Sequence, residues 1–283
     1  MSGHVSVVVA VPVYRGGAYV LERFLANQKE VQQGYPSSEL VFATAEGDFV
    51  PELEALIVSW GLRGRVLHYE VVRPGPARSR VWNIACGREA LRRYMLEHTD
   101  ADYMLCLDAD MTYDPGVIGI LEHQIQGWDA VFSGYYQRGF GIALAGGGCC
   151  MLTRAVLSDI GFRCVEFPNG VVMNEDRLLE FDLIGSGKRV RKGFFLSICH
   201  YEDDQSYKHI APRPMGLYRR VTHARPVRYG LTRASMATRY DIAAGLHGLM
   251  HRLLGALAWP LRAVPGLRGD RGGSYRERGR DPL

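Results

Sequence analysis

The sequence predicts an α/β fold with a mostly parallel sheet flanked by helices. Short apolar runs typical of buried strands alternate with helical patterns along the first half of the 283 residues. This alternation is characteristic of βαβ units and therefore of a parallel sheet. With 47% hydrophobic and 23% charged residues, the chain has the ordinary composition of a globular protein with a large core.

The strands are predicted from runs of apolar and β-branched residues bounded by turn residues. In chain order they are Val5–Val11, Leu40–Thr44, Val66–Val72, Tyr103–Leu107, Asp129–Gly134 and Lys188–Ile198. The first run is almost continuously β-branched, as expected for a strand that a parallel sheet buries on both faces.

The helices are predicted from apolar residues at three- or four-residue spacing and from capping residues. They begin near Gly17, Pro51, Ala77, Pro115 and Asn174. The fourth follows Asp114-Pro115, which combines a capping residue with proline at the first helical position. The sequence therefore predicts a tight strand-to-helix connection after Leu107.

Two carboxylates, Asp108 and Asp110, stand in this connection directly after an apolar strand. Residues two apart on extended backbone project to the same side, and ligands of open α/β sheets bind at the carboxyl ends of strands. Carboxylates suit a hard divalent cation, Mg²⁺ or Mn²⁺, which commonly shares its ligands with substrate phosphates. The alternative is two solvated aspartates in a turn, because Asp-x-Asp is a common sequence.

Polar residues also follow the second and third strands. Arg78, Arg80 and Asn83 lie at the start of the long third helix, where arginines and unpaired N–H groups suit a phosphate. A solvated helix face is the alternative. Glu46 and Asp48 follow the second strand, either as ligand contacts or as turn and helix-start residues.

The second half contains three further features. The glycines Gly146–Gly148 allow a close backbone approach, and the absence of a Walker lysine excludes a P-loop. Glu175 and Asp176 begin a helix, where a carboxylate is most often a cap. His200 follows a predicted strand and is either a structural histidine or a metal ligand.

Charge and cysteine usage exclude some classes of protein. The net charge is +4, and residues 262–283 hold six arginines against three acidic residues, so a nucleic-acid-binding body is not predicted. The cysteines have no CxxC spacing and no signal peptide precedes them, which predicts reduced thiols in a cytoplasmic protein. No apolar run reaches the ~18 residues of a membrane span.

Apolar residues recur at three- or four-residue spacing between Asp241 and Val264 and form one face of a helix. This helix either packs on the α/β domain or lies in a membrane interface, where the arginine-rich tail would attract anionic lipid. The domain prediction is a domain at 1–205, a helical extension at 206–264 and a basic, disordered tail at 265–283.

The order of these motifs resembles that of GT-A-fold glycosyltransferases, especially the inverting family 2 that includes cellulose and chitin synthases. The resemblance covers roughly residues 5–202. Its segments are Pro12-Val13-Tyr14, Gly75 to Asn83, Asp108-Ala109-Asp110, Gly147 to Leu157, Glu175-Asp176 and His200. Glu46-Gly47-Asp48 departs from the family, which usually has paired aspartates there to hold the nucleotide base.

The resemblance implies a metal-dependent transfer of sugar from a nucleoside-diphosphate donor, preferentially a UDP-sugar, to an acceptor hydroxyl with inversion. The implied nucleotide-sugar site is Pro12, Tyr14, Glu46, Asp48, Arg78, Arg80, Asn83, Asp108, Gly147 and Gly148. The implied ligands of Mn²⁺ or Mg²⁺ are Asp108, Asp110 and His200, and the implied base is Asp176, with Glu175 positioning its neighbours. In the domain at 1–205, the nucleotide-binding half covers about 1–111 and the acceptor half about 112–205.

The sequence is also compatible with other classes of protein. A retaining GT-A transferase of the mannosylglycerate-synthase type shares the sheet and the Asp-x-Asp, and a non-catalytic sugar-nucleotide-binding protein would show no donor turnover. A sugar-phosphate nucleotidyltransferase normally opens with a GxGxRLxP-like loop, which is missing here. The QxxRW segment of processive synthases is missing too, so a polymerase is not predicted. The acceptor, whether a glycan, a lipid-linked group or a small molecule, is not specified.

Overall fold

The computed structural model describes residues 7–71, 80–137, 141–167 and 172–222, some positions between 224 and 233, and residues 274–276. Its α-helices are α1 (Leu21–Gly34), α2 (Val50–Ser59), α3 (Arg80–His98), α4 (Val117–Ile125), α5 (Arg154–Asp159), α6 (Glu175–Gly185) and α7 (Leu217–Thr222). Its strands are β1 (Val7–Pro12), β2 (Ser38–Thr44), β3 (Gly64–His68), β4 (Tyr103–Leu107), β5 (Met111–Tyr113), β6 (Ala130–Ser133), β7 (Tyr135–Tyr136), β8 (Ile142–Ala143), β9 (Cys149–Thr153), β10 (Val165–Glu166), β11 (Val172–Met173), β12 (Val190–Gly193), β13 (Ile198–Tyr201), β14 (Ser206–Ile210) and β15 (Ser274–Arg276).

A seven-stranded sheet in the order β12-β6-β9-β4-β1-β2-β3 forms the centre of the fold. β1 pairs in parallel with β2 and β4, and the pairs β2–β3 and β6–β12 are also parallel. β9 runs antiparallel to both β4 and β6. The predicted fold class, an α/β domain with a mostly parallel sheet flanked by helices, is confirmed.

Both faces of this sheet are buried, because alternate residues of each strand enter two different apolar clusters. Val9 of β1 packs with residues of α1, α2 and α4, whereas Val8 and Ala10 pack with residues of α3, α5 and α6. Side chains of successive strand residues point to opposite faces, so a continuous apolar run is required here. The six cysteines are free thiols, and four of them are buried.

The predicted strand Lys188–Ile198 is wrong as one element. β12 belongs to the seven-stranded sheet, whereas β13 belongs to a four-stranded sheet in the order β15-β14-β13-β5. Between them Phe194 is buried and forms an isolated bridge with Arg213, so the chain crosses from one sheet to the other while remaining apolar. Burial, rather than a continuous strand, explains the apolar run.

The predicted strand-to-helix connection after Leu107 is also wrong. β5 follows Asp110 and pairs antiparallel with β13, and α4 begins only at Val117. Met111 and Tyr113 are buried, which favours extended backbone paired to a neighbouring strand. The two carboxylates therefore stand between a strand of the main sheet and a strand of the smaller one.

Asn27 of α1 holds β5 through its backbone. The amide group donates from Nδ2 to the Tyr113 carbonyl at 2.8 Å and accepts from the Tyr113 N–H at Oδ1 at 2.9 Å. We expect Asn27→Ala to lower the free energy of unfolding by at least about 1–3 kcal/mol, the cost of leaving a buried polar group unsatisfied. Urea unfolding measures this, with Lys29→Ala on the exposed side of α1 as control. Equal stability of the two variants would contradict this account of β5.

The segment 206–264, predicted to be a helical extension, begins with the strand β14, because its backbone pairs with β13. In the tail predicted to be disordered, Ser274–Arg276 form β15 and pair with β14. The predicted helix at 241–264 lies outside the described residues. Within the described part of the chain, we find no helix with the length and apolarity that crossing a bilayer requires.

Candidate active site

A cavity of about 470 Å³ opens at the carboxyl ends of β1, β2 and β4. Most of the residues that the sequence analysis selects lie on its wall, although they come from distant parts of the chain. These are Pro12, Tyr14, Glu46, Arg80, Asn83, Asp108, Asp110, Glu175 and Asp176. Ligands of open α/β sheets bind at this edge, so the cavity is the candidate active site.

Other selected residues lie beside the cavity or away from it. Asp48 has a side chain that is 82% exposed and lies 3.5 Å from the guanidinium of Arg15. It does not line the cavity, whereas Glu46 does. Arg78 lies outside the described residues. His200 does not line the cavity but contacts Asp110, which does.

The first turn after β1 forms an aromatic wall of the cavity. Tyr14 packs against Gly16 and Gly17, where an added Cβ would come within 3.2 and 3.3 Å of the tyrosine ring. The Arg80 guanidinium lies 4.8 Å from the centre of the same ring. An arginine held over an aromatic ring is a preorganised cation. This corner of the cavity therefore offers a positive charge held against an aromatic ring.

Asp110 and His200 are placed as a pair that fits a divalent cation. His200 Nδ1 lies 2.5 Å from the Tyr136 carbonyl, so Nδ1 carries the proton and donates it. Nε2 then faces Asp110 Oδ2 at 3.5 Å. Ligands that each lie about 2.1 Å from one octahedral ion are about 3 Å apart, close to this separation. The backbone bond to Nδ1 orients the ring as in metal-ligating histidines.

No preformed site with three ligands is present, because among the described residues no group of three or more His, Cys, Asp or Glu side chains is arranged to hold a metal. Asp108, the third predicted ligand, is engaged by Arg88 instead. Burial acts to lower the pKa of His200, but the hydrogen bond to Asp110 and its charge outweigh burial and raise it. A bound cation would have to displace that proton.

Arg88, which the sequence analysis did not select, lies at the centre of the acidic residues. Its side chain is only 3% exposed. It donates through Nη2 to Asp108 Oδ1 at 2.9 Å and through Nη1 to Glu175 Oε1 at 2.6 Å and Asp176 Oδ1 at 2.7 Å. Glu175 and Asp176 therefore do not act as a simple helix cap. We call Arg88 and its three carboxylates the arginine cluster.

The glycines before β9 make room for this cluster. A Cβ on Gly147 would lie 1.9 Å from Arg88 Nη1, and one on Gly148 would lie 2.5 Å from Asp108 Oδ2. The Gly147 N–H also donates to Asp176 Oδ1 at 2.7 Å. These glycines therefore let the backbone lie close to the charged side chains of the arginine cluster.

Burial changes the acid–base properties of the cluster. Burial and the charge of Asp176 raise the pKa of Glu175 to about 8, although Arg88 opposes the shift. Burial likewise raises the pKa of Asp108, again against the effect of Arg88. The charge of Arg88 therefore does not fully compensate the desolvation of Glu175 and Asp108.

The raised pKa of Glu175 predicts a pH-dependent stability. Between pH 4.5 and about 8 the native state holds a proton that the unfolded chain has released. The stability that this proton gives is present below pH 4.5 and is lost as the pH rises through about 8. Glu175→Gln keeps the neutral shape at all pH values. We therefore expect the free energy of unfolding of Glu175→Gln, relative to that of the wild type, to increase from about pH 5 to about pH 9. The increase is at most about 1.4 kcal/mol for each unit by which the Glu175 pKa is raised.

Thermal and urea unfolding across this pH range measure the difference. Asp182→Asn on the same helix is the control, because Asp182 pairs with Arg163 away from the cluster. Parallel pH profiles for wild type and Glu175→Gln would show that Glu175 is ionised in the native state throughout.

No protein-family model and no curated protein matches the chain. Among solved structures, S. aureus TarS 1–349 in complex with UDP-GlcNAc is similar, with a TM-score of 0.47 and 14% identity over 75% of this chain and 59% of that one. The mannosyltransferase PcManGT from Pyrobaculum calidifontis, in complex with GDP-Man and Mn²⁺, has a TM-score of 0.46 and 16% identity over 94% and 84% of the two chains. Glucosyl-3-phosphoglycerate synthase from Mycobacterium tuberculosis has a TM-score of 0.43 and 13% identity over 66% and 68%. Similarity at this level does not transfer an activity, so the function has to be inferred from the site.

Proposed function

We propose that this protein is a glycosyltransferase that moves a sugar from a nucleoside-diphosphate donor, with a UDP-sugar favoured, to an acceptor hydroxyl with inversion. The observation that carries the proposal is the single cavity shared by the Asp-x-Asp carboxylates and the acidic pair of α6. Asp108 and Asp176 are far apart in sequence, yet one guanidinium joins them. A transferase needs this proximity, because the leaving group departs from the same carbon atom that the acceptor oxygen, deprotonated by the base, attacks.

The donor would lie against the aromatic wall formed by Tyr14 and Arg80. Arg80, held over the tyrosine ring, offers positive charge to a diphosphate. Glu46 lines the same end of the cavity, at the end of β2, and its carboxylate accepts a hydrogen bond from the Arg15 N–H at 2.6 Å. Glu46, rather than the exposed Asp48, is therefore the acidic residue of this turn that we assign to the nucleoside.

Asp110 and His200 would hold Mn²⁺ or Mg²⁺, with the remaining ligands from the donor phosphates. Bound there, the cation would supply positive charge to the departing diphosphate. Without a cation, the diphosphate would meet the carboxylates of the arginine cluster and be repelled. Donor binding is therefore expected to depend on the metal.

Asp176 is the base in this proposal. The acceptor oxygen attacks the anomeric carbon, the bond from that carbon to the diphosphate breaks, and the hydroxyl proton passes to Asp176. Its Oδ1 already accepts from the Gly147 N–H and from Arg88. Oδ2 is then the oxygen that receives the proton, and the nucleoside diphosphate leaves with the electron pair of the broken bond.

A thermal-shift screen of nucleoside-diphosphate sugars, with and without Mn²⁺, tests the proposal. A ligand that binds the native state raises the apparent melting temperature, so a shift seen only with donor and metal together is expected. Turnover with the best donor, followed by the anomeric configuration of the product, separates the outcomes. A retained anomer would indicate a retaining transferase, and binding without turnover would indicate a sugar-nucleotide-binding protein.

A further inference from the structure

We infer that Arg88 is a positioning residue that couples the donor side of the site to the base, an inference that rests on the proposed function. The guanidinium reaches Asp108 at the end of β4 with one nitrogen and Asp176 at the start of α6 with the other. A planar guanidinium with fixed N–H directions sets the separation and orientation of two carboxylates, which a lysine ammonium does not.

The orientation of Asp176 shows how this positioning works. Its Oδ1 accepts from Arg88 Nη1 and from the Gly147 N–H, each at 2.7 Å. Two donors on one oxygen restrict rotation of the carboxylate. Oδ2 is then left in a defined direction, and Asp176 lines the cavity together with Arg88 and Asp108.

Fold stability alone is a weak explanation for this arrangement. A buried ion pair contributes little net stability, because desolvation offsets the attraction between the charges. Here one cation contacts three carboxyl groups, and Arg88 Nε is buried without a hydrogen-bond acceptor among the described residues. Apolar side chains would fill this volume at lower cost. A functional requirement explains the cluster better, namely that its side chains present a fixed geometry to a ligand.

The fit of Gly147 gives an independent way to disturb Arg88. An alanine there would place its Cβ 1.9 Å from Arg88 Nη1, so the guanidinium has to move while its charge stays. Gly119 on α4 is the matched control, because an added Cβ meets no atom within 4 Å. Arg93 on the exposed side of α3, paired with Glu89, is the matched control for substitution of an arginine.

The experiment measures donor affinity by calorimetry and transfer by steady-state kinetics for Arg88→Lys, Arg88→Ala and Gly147→Ala, beside Arg93→Lys and Gly119→Ala. We expect kcat to fall about 100-fold in Arg88→Lys and Gly147→Ala with little change in donor affinity, because the positive charge stays and a displacement of about 1 Å costs that much. Arg88→Ala should lose at least as much activity and also bind the donor more weakly, because it removes the charge that offsets the carboxylates. Guanidinium ion at low, non-denaturing concentration should restore part of the activity of Arg88→Ala, whereas methylammonium should not.

Each outcome decides the inference. Near-normal kcat in Arg88→Lys, or rescue by methylammonium as good as by guanidinium, would show that only a positive charge is needed. Loss of folding in Arg88→Lys would show that the guanidinium serves the fold. Donor binding and transfer by the wild type are measured first. A wild-type protein that binds no donor and transfers no sugar would contradict the proposed function rather than the role of Arg88.

Discussion

Asp176→Asn is expected to bind the donor as the wild type does and to lose transfer by about 10²–10⁴-fold, the usual contribution of a positioned general base. The amide has nearly the shape of the carboxylate, so the fold is retained, but it does not accept a proton from the acceptor. Calorimetry with donor and Mn²⁺ measures the binding, and initial rates measure the transfer.

Asp182→Asn is the matched control on α6, because Asp182 forms an ion pair with Arg163 outside the cavity. The control should keep normal turnover. If Asp176→Asn also turns over near the normal rate, Asp176 is not the base, and Glu175 becomes the candidate to examine.

Asp110→Asn is expected to weaken donor binding in the presence of Mn²⁺ by at least about 10–100-fold. Loss of a residue that only hydrogen-bonds to a metal ligand already lowers metal affinity or activity by that factor, and Asp110 is assigned here as a direct ligand. In the absence of metal, both the variant and the wild type should bind UDP weakly, because neither then has a cation between carboxylates and diphosphate.

Calorimetry of UDP with Mn²⁺ and with a chelator distinguishes these cases. Asp102→Asn, at an exposed position just before β4, is the control. Unchanged affinity of Asp110→Asn for UDP with Mn²⁺ would remove the metal assignment from this residue. If the affinity of Asp110→Asn for UDP is unchanged but still depends on Mn²⁺, His200 and Asp108 would be the metal ligands instead.

Much of the sheet was predictable, because its strands are apolar on both faces and interrupted by turns. The predicted runs Val5–Val11 and Leu40–Thr44 overlap β1 and β2 almost completely. The direction of β9 was not predictable, since hydrophobicity is the same for parallel and antiparallel neighbours. The break between β12 and β13 was hidden for a similar reason, because Phe194 is buried although it lies in neither strand.

The positions of the site residues followed from one geometric rule, that polar residues at the carboxyl ends of parallel strands meet at one edge. That rule brings Glu46 and Asp108 to the same cavity. Asp48 follows the same strand but turns outward, because it belongs to the short 3₁₀ helix Gly47–Phe49. A difference of two residues within one turn decides which carboxylate faces the cavity.

Arg88 was not predicted, because it lies two turns beyond the helix start at which the sequence suggests an anion site. A signal was present, since Arg80, Ile84 and Arg88 recur at four-residue spacing and all line the cavity. Residues at this spacing share one helix face. The signal was ambiguous without the structure, because arginines on a long helix are most often solvated. The structure shows that Arg88 is buried against the backbone of Gly147.

The strand β15 has a consequence for the behaviour of the protein in solution. β14 lies between β13 and β15, so its backbone is paired on both sides by Ser274–Arg276 and by Ile198–Tyr201. Removal of residues 274–276 would expose a row of N–H and C=O groups along β14. Such unprotected edges pair with other chains. The three-residue β15 therefore replaces β14 as the edge strand of this sheet, and we expect its removal to increase self-association through β14.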